Sequence, residues 1–250
     1  MTEREVILRM ANISKSFAAV KALDNVDFEL YNNEILALLG DNGAGKSTLI
    51  KIISGNYSSD SGDMWVYGDK VVFKNPHEAQ ALGIETIYQD LALFDNLDVM
   101  SNIFAGREAT HKGVRGRLGF VDRNSMYKES IQVVGQLGVN IDDYRKTVLN
   151  FSGGQRQAVA IAKAITWGHQ IIIMDEPTAA LGVRETADVM DLIRSLKRNN
   201  VTMILIMHNI DQVVEIAERA IILRRGRRVG EVDIIAEGPA SYENIVKMLL

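Results

Sequence analysis

Cysteine is absent from the 250 residues, which excludes disulfides and thiol chemistry and fits a reducing compartment. Long apolar runs are missing as well. The most hydrophobic pieces, "EILALLG", "QIIIMDEP" and "VTMILIMHN", are strand length, short of the ~18–20 residues that span a bilayer. The opening "MTEREVILRM" is charged and has no signal-peptide apolar region. A membrane crossing is not expected of such a chain, so any part in transport needs a separate membrane protein. There is no strong charge of either sign: the net charge of −4 gives no global argument for a nucleic-acid partner. Internal repeats and low-complexity linkers are also lacking.

What is present is an ordinary globular balance, 47% hydrophobic and 24% charged, in a chain long enough for a substantial core. The first third reads as β. "VILRMANI", "AVKALDNVDFEL" and "NEILALLG" carry short apolar runs or alternation, with a turn at Tyr31-Asn32-Asn33. The third run passes through a glycine-rich loop into "KSTLIKIISG", a helix closed by Gly55, and "DMWVYGDKVVF" resembles a hairpin around Gly68-Asp69. From 92 to 166 the pattern is helical: "VMSNIFAG", then "NSMYKESIQVVGQLG" with Asn124 as its N-cap, then "GGQRQAVAIAKAITWG". Between the first two, "REATHKGVRGRLGFVD" reads as a surface loop. After Gly168, strands and helices alternate, and "IIIMD" suits a central parallel strand. The tail predicts a hairpin, "AIILRRGRRVGEV", and a last helix, "SYENIVKMLL". The expectation is one α/β nucleotide-binding domain over 1–250, with a helical subdomain near 92–166.

"GDNGAGKST", comprising Gly40, Asp41, Asn42, Gly43, Ala44, Gly45, Lys46, Ser47 and Thr48, matches G-x-x-x-x-G-K-[ST] between a predicted strand and a predicted helix. Glycines let successive N–H groups converge on phosphate oxygens, and the helix N-terminus adds about half a positive charge. Lys46 reaches the β- and γ-phosphates, and the Ser47 hydroxyl takes a Mg²⁺ position. Asp175 closes the run "IIIMD", where a carboxylate can hold Mg²⁺, and Glu176 beside it can polarise water as a general base. Gln89 ends "IETIYQ" and His208 ends "VTMILIMH", so both polar side chains fall where strand ends point at a γ-phosphate. The stretch "FSGGQ" places Ser152, Gly153, Gly154 and Gln155 at the start of a second helix, which opens at Gln155 or just before and offers another anion-binding terminus.

The combination of "GDNGAGKST", Gln89, "FSGGQ", "IIIMDEP" and His208, in this order and spacing, resembles the ATP-binding subunit of ABC transporters over essentially the whole chain. The resemblance implies a P-loop NTPase (RecA-like) core with an antiparallel β subdomain and an inserted α-helical subdomain. It further implies that Ser152 to Gln155 cap the γ-phosphate held by an opposite subunit, so that ATP joins a dimer. Phe17 in "SKSFAAVKAL" matches the aromatic that stacks on adenine, with a core phenylalanine as the alternative. Gln89 matches a Mg²⁺-sensing residue linked to the membrane subunit, and His208 matches the histidine that contacts the γ-phosphate. Two positions depart from the pattern: Phe151 stands where leucine is usual, and Gly182 follows "EPTAAL" where aspartate is usual.

"IETIYQDLALFDNLDV", "GRE" at 106–108 and "DEPTAALG" look like the subfamily that serves simple-sugar importers, including those for ribose, xylose and fructose. That likeness implies an ATPase using ATP and Mg²⁺ at the cytoplasmic face of the cell membrane. It also implies a homodimer on a pair of permease subunits, fed by an extracytoplasmic sugar-binding protein and with no nucleic-acid partner. The rivals are an ATPase for a non-sugar solute and a soluble ABC ATPase acting on DNA or ribosomes. The second calls for a coiled-coil insertion or a basic face, and "LRRGRR" at 223–228 reads instead as a solvated hairpin. A solitary P-loop kinase or GTPase has no use for "SGGQ".

Overall fold

Alternating apolar residues in the opening segment form two long strands, β1 (Val6–Phe17) and β2 (Val20–Tyr31), in a computed structural model that describes residues 4–168 and 170–250. They pair antiparallel, with register shifts along the ladder. Beyond the turn, where Asn33 takes φ 51°, the chain enters β3 (Ile35–Leu39), buried at every position. A loop then opens α1 (Lys46–Ile53), whose end is marked by Gly55 at φ 74° as the sequence predicted.

β4 (Ser61–Val66) and β5 (Asp69–Val71) form the expected hairpin, but its turn residues are Tyr67 and Gly68, both at positive φ, rather than Gly68-Asp69. Two left-handed residues in succession match the twist of the flanking strands. α2 (Pro76–Ala81) follows, capped by the Asn75 side chain accepting from Glu78 N–H, and then β6 (Ile84–Ile87). α2 was not expected from the pattern.

Next come α3 (Val99–Phe104), α4 (Val114–Arg117), α5 (Arg123–Gln136) and α6 (Gly153–Thr166). The short helix α4 lies within the stretch expected to be a plain loop. α5 begins two residues earlier than expected. Asp122, not Asn124, is its N-cap, with the carboxylate accepting from Ser125 N–H. An ionised acceptor at that position also meets the positive end of the helix, which an amide does not. The remaining elements are β7 (Ile171–Asp175), α7 (Val183–Arg198), β8 (Thr202–Ile206), α8 (Ile210–Ile216), β9 (Arg219–Arg224), β10 (Arg227–Asp233), α9 (Ile234–Glu237) and α10 (Ala240–Leu249).

Two compact units emerge. The first takes in the chain through Thr86, the segment ending at Pro177, and Lys197–Leu250. It holds an antiparallel sheet ordered β2-β1-β4-β5 and a six-stranded sheet ordered β10-β9-β3-β8-β7-β6. β3 is parallel to both β8 and β9, and β7 is parallel to β8. This parallel centre explains the unbroken apolar runs: strands covered on both faces have no solvent side to make polar. One buried cluster joins Phe28, Leu30 and Met64 of the antiparallel sheet to Leu49 and Ile53 of α1 and to Ile173, Ile204 and Ile221 of the parallel one. These features are those of a P-loop NTPase core with an antiparallel β layer.

The second unit consists of Ile87–Gly168 and Thr178–Leu196. α3 packs on α5 and α6, with the Trp167 indole donating to the Ile103 carbonyl (3.2 Å). Asn102, 1% exposed, accepts from Phe94 N–H and donates to the Phe94, Leu97 and Asp98 carbonyls, which shapes the 94–98 loop. α7, expected to alternate with the strands of the sheet, groups with this unit through Leu196.

Candidate nucleotide site

The loop from Gly40 to Gly45 is folded by what leaves no room for side chains. A Cβ on Gly40 (φ 144°) would lie 2.2 Å from the Leu223 carbonyl oxygen, and one on Gly45 (φ 107°) would lie 2.7 Å from the Ala22 carbonyl oxygen. Both glycines combine a left-handed backbone with close main-chain approach. The β9–β10 turn braces the loop through Gly226 N–H, which donates to the Ala44 carbonyl (3.0 Å). Asp41, Asn42 and Gly43 remain exposed, and Ala44 is buried.

Lys46 arches back over the loop, its ammonium donating to the carbonyls of Gly40 (2.6 Å) and Asp41 (3.1 Å). Burial lowers its pKa, opposed by the charges of Glu176, Asp175 and Asp41. Among the described residues this partly desolvated cation is hydrogen-bonded to carbonyls alone, which leaves it well placed to turn to a phosphate. Ser47 is exposed and Thr48 half-buried in the first turn of α1.

Asp175 ends β7. Burial raises the pKa of its carboxyl and Glu176 next to it raises it further, against the opposing pull of Lys46 and His208. A carboxylate disfavoured in this way would gain from an added cation, which suits Mg²⁺ at Asp175, and the exposed Ser47 hydroxyl is a hard oxygen donor of the kind Mg²⁺ takes. Among the described residues no group of three or more His, Cys, Asp or Glu converges on one point. Magnesium here would therefore draw its other ligands from phosphate and water, as it commonly does.

Glu176 is left-handed at φ 52°, a conformation that costs a non-glycine residue on the order of 1 kcal/mol. The position is imposed from both ends. Its N–H donates to the Ile206 carbonyl at the end of β8 (3.0 Å), and its Oε1 lies 2.9 Å from His208 Nε2. His208 sits two residues past β8 rather than at its last residue. The structure thus brings Lys46, Asp175, Glu176 and His208 together at the ends of β3, β7 and β8. Phe17 is no core residue: it is 41% exposed at the end of β1, edge-on to Tyr57 (5.2 Å between ring centres), with the Lys15 ammonium 5.7 Å from its ring centre.

Two predicted sites lie in the second unit. Gln89 is exposed, two residues past the end of β6. Ser152 is the N-cap of α6, which starts at Gly153, and Ser152 and Gln155 form a reciprocal capping box. Gly154 is buried. Sequence reasoning missed Glu185, whose Oε1 accepts from Gly153 N–H (3.0 Å) and whose Oε2 accepts from Gly182 N–H (3.2 Å). The Gly182 contact has a local signal, since a glutamate three residues into a helix is half of a capping box, whereas the Gly153 contact has none.

The family model described as "ABC transporter" matches residues 23–179. The chain is 49% identical to the xylose/arabinose import ATP-binding protein of Sulfolobus acidocaldarius, over 88% of this chain and 86% of that protein. It is 44% identical to the fructose import ATP-binding protein of Rhizobium meliloti, over 90% and 88% of the two chains. Against the galactofuranose transporter ATP-binding protein of Escherichia coli (strain K12) the identity is 42%, covering 91% of this chain but 44% of that one. Among solved structures, a nucleotide-free ATP-binding cassette from an ABC transporter superposes with a TM-score of 0.81 at 25% identity, over 97% and 95% of the two chains.

Proposed function

We propose, because this chain belongs to the ABC transporter family, that it is the ATP-hydrolysing subunit of an importer for a simple sugar. The observation that carries the ATPase reading is the Glu176–His208 pair, set beside Lys46 and Asp175 at the strand ends that flank a P-loop. The sugar class rests on similarity to proteins named for import of xylose, arabinose and fructose. Among the described residues no helix is long and apolar enough to cross a membrane, so permease subunits carry the sugar. The chain docks on them at the cytoplasmic face, an extracytoplasmic binding protein delivers the sugar, and nucleic acid has no part. The whole chain acts as one ATPase domain that carries a helical subdomain.

In this reading two copies of the chain close on ATP. The loop of one copy cradles the phosphates, Phe17 stacks on adenine, and Ser152 to Gln155 of the other copy cap the γ-phosphate. Gln89 lies at the membrane-subunit side and couples closure to the permease. Mg²⁺, when bound through Ser47 and Asp175, neutralises charge on the phosphate oxygens. Glu176 takes a proton from water as the water oxygen bonds to the γ-phosphorus and the bond to the β-phosphate oxygen breaks. His208 fixes the carboxylate through the 2.9 Å contact. ADP and phosphate, both anionic, then repel and the dimer opens, so ATP binding and hydrolysis shift one equilibrium back and forth.

Glu176→Gln tests the composite site. The variant should lose turnover by about 10²-fold or more and form a stable dimer in ATP and Mg²⁺, read by light scattering on a sizing column. A variant that remains monomeric at saturating nucleotide refutes the reading.

A further inference from the structure

Three of the backbone amides that open α6 already have acceptors. Ser152 N–H donates to Gln155 Oε1 (3.2 Å), Gln155 N–H to Ser152 Oγ (3.3 Å), and Gly153 N–H to Glu185 Oε1 (3.0 Å). Among the described residues no acceptor meets Gly154 N–H. Because Ser152 Oγ acts as the acceptor from Gln155, its own hydroxyl proton is still available to donate. The helix mouth therefore has two unclaimed donors, the exposed Ser152 hydroxyl and, behind it, the N–H of the buried Gly154, and Glu185 determines which two.

The same carboxylate reaches a second element. Its Oε2 accepts from Gly182 N–H (3.2 Å), where the chain has no side chain of its own to make a contact. The 178–182 loop is pressed against α6 as well: a Cβ on Gly153 would lie 2.4 Å from Leu181 Cδ2. One half-buried glutamate thus ties the first turn of α6 to the first turn of α7.

We propose that Glu185 is a positioning residue of the composite ATP site, an inference that rests on the dimer reading above. By engaging Gly153 N–H it leaves Gly154 N–H and the Ser152 hydroxyl as the donors for a γ-phosphate bound to the partner copy. By engaging Gly182 N–H it keeps the 178–182 loop in step with that helix. Its negative charge would by itself repel a phosphate. Two helix N-termini, each worth about half a positive charge, meet at this carboxylate and largely cancel it, so the ordering effect prevails.

The test is made in the Glu176→Gln background, with dimer formation followed by light scattering as ATP is titrated. Glu185→Ala should raise the ATP concentration at half-dimerisation about tenfold, the scale of one hydrogen bond to a charged acceptor. Glu185→Gln, with one carbonyl oxygen and no charge, should fall between the two. ATP binding to the monomer, measured with a fluorescent ATP analogue at low protein concentration, should be unchanged in both, which a general loss of folding would not allow. An unshifted or lowered midpoint in Glu185→Ala overturns the proposal, as does weakened monomer binding in the isosteric Gln variant. If Glu176→Gln alone fails to dimerise, the dimer reading itself is wrong, and that outcome is separately visible.

Discussion

Burial and the adjacent Glu176 both favour the protonated form of Asp175. A carboxyl whose folded pKa is raised binds more protons folded than unfolded between its ordinary value and the raised one. Stability therefore falls as pH climbs through that window, and the deficit persists at neutral pH. Asp175→Asn removes it. The nucleotide-free variant should melt higher than the parent at pH 7, by a few degrees (~2–4 °C per kcal/mol in a chain this size), with the gap closing below about pH 4. Added ATP and Mg²⁺ should raise the melting temperature of the parent more than that of the variant, which keeps the phosphate loop but loses the carboxylate charge. Equal melting points at pH 7 would contradict the electrostatic account. The closeness of Lys46 and Asp175 was legible in the sequence because the glycine-rich loop and the apolar run that place them are local patterns. The exposure of Phe17 and the grip of Glu185 on Gly153, thirty-two residues distant, are set by tertiary placement and leave no periodic trace.

At the scale of elements, strands are joined by more than ladders. Arg219 at the start of β9 is 3% exposed and donates to both oxygens of Glu34, itself 1% exposed, just before β3 (2.8 and 3.0 Å). It also donates to the Glu29 carbonyl in β2 (2.6 Å), pairs with Glu231 in β10 (3.0 Å) and lies 4.6 Å from the Tyr31 ring centre. Arg219→Met leaves the Glu34 carboxylate buried and unpaired, and should cost about 3–5 kcal/mol in urea unfolding. Removing both charges, as in Glu34→Met with Arg219→Met, should cost less than the sum of the single changes. Additive losses would mean that the pair is not coupled. Alternation and unbroken apolar runs made the strands readable, but no pattern announces a pair 185 residues apart. The smaller misses have local causes. α2 was overlooked although Asn75, Pro76 at the first helical position and Glu78 spell out its start, and Asp122 outcompetes Asn124 by charge.

For the whole molecule, the proposed function requires each copy to carry two unlike halves of a site. Lys46→Ala spoils the loop half, and Ser152→Arg spoils the capping half, so each variant alone should hydrolyse ATP at least tenfold more slowly than the parent. Mixed one to one, half of the random dimers pair a sound loop from the Ser152→Arg copy with a sound cap from the Lys46→Ala copy. Each such mixed dimer has one intact site of two, so activity should recover to about a quarter of the parent's if the sites fire independently. Independence is the physical expectation here because position 182 is glycine: its backbone is bound inward by Glu185, and no carboxylate projects from it. Recovery well above background requires sites built from two chains. A mixture no more active than its components, under conditions where Glu176→Gln dimerises, would show that the two sites act only in concert and that the glycine does not uncouple them.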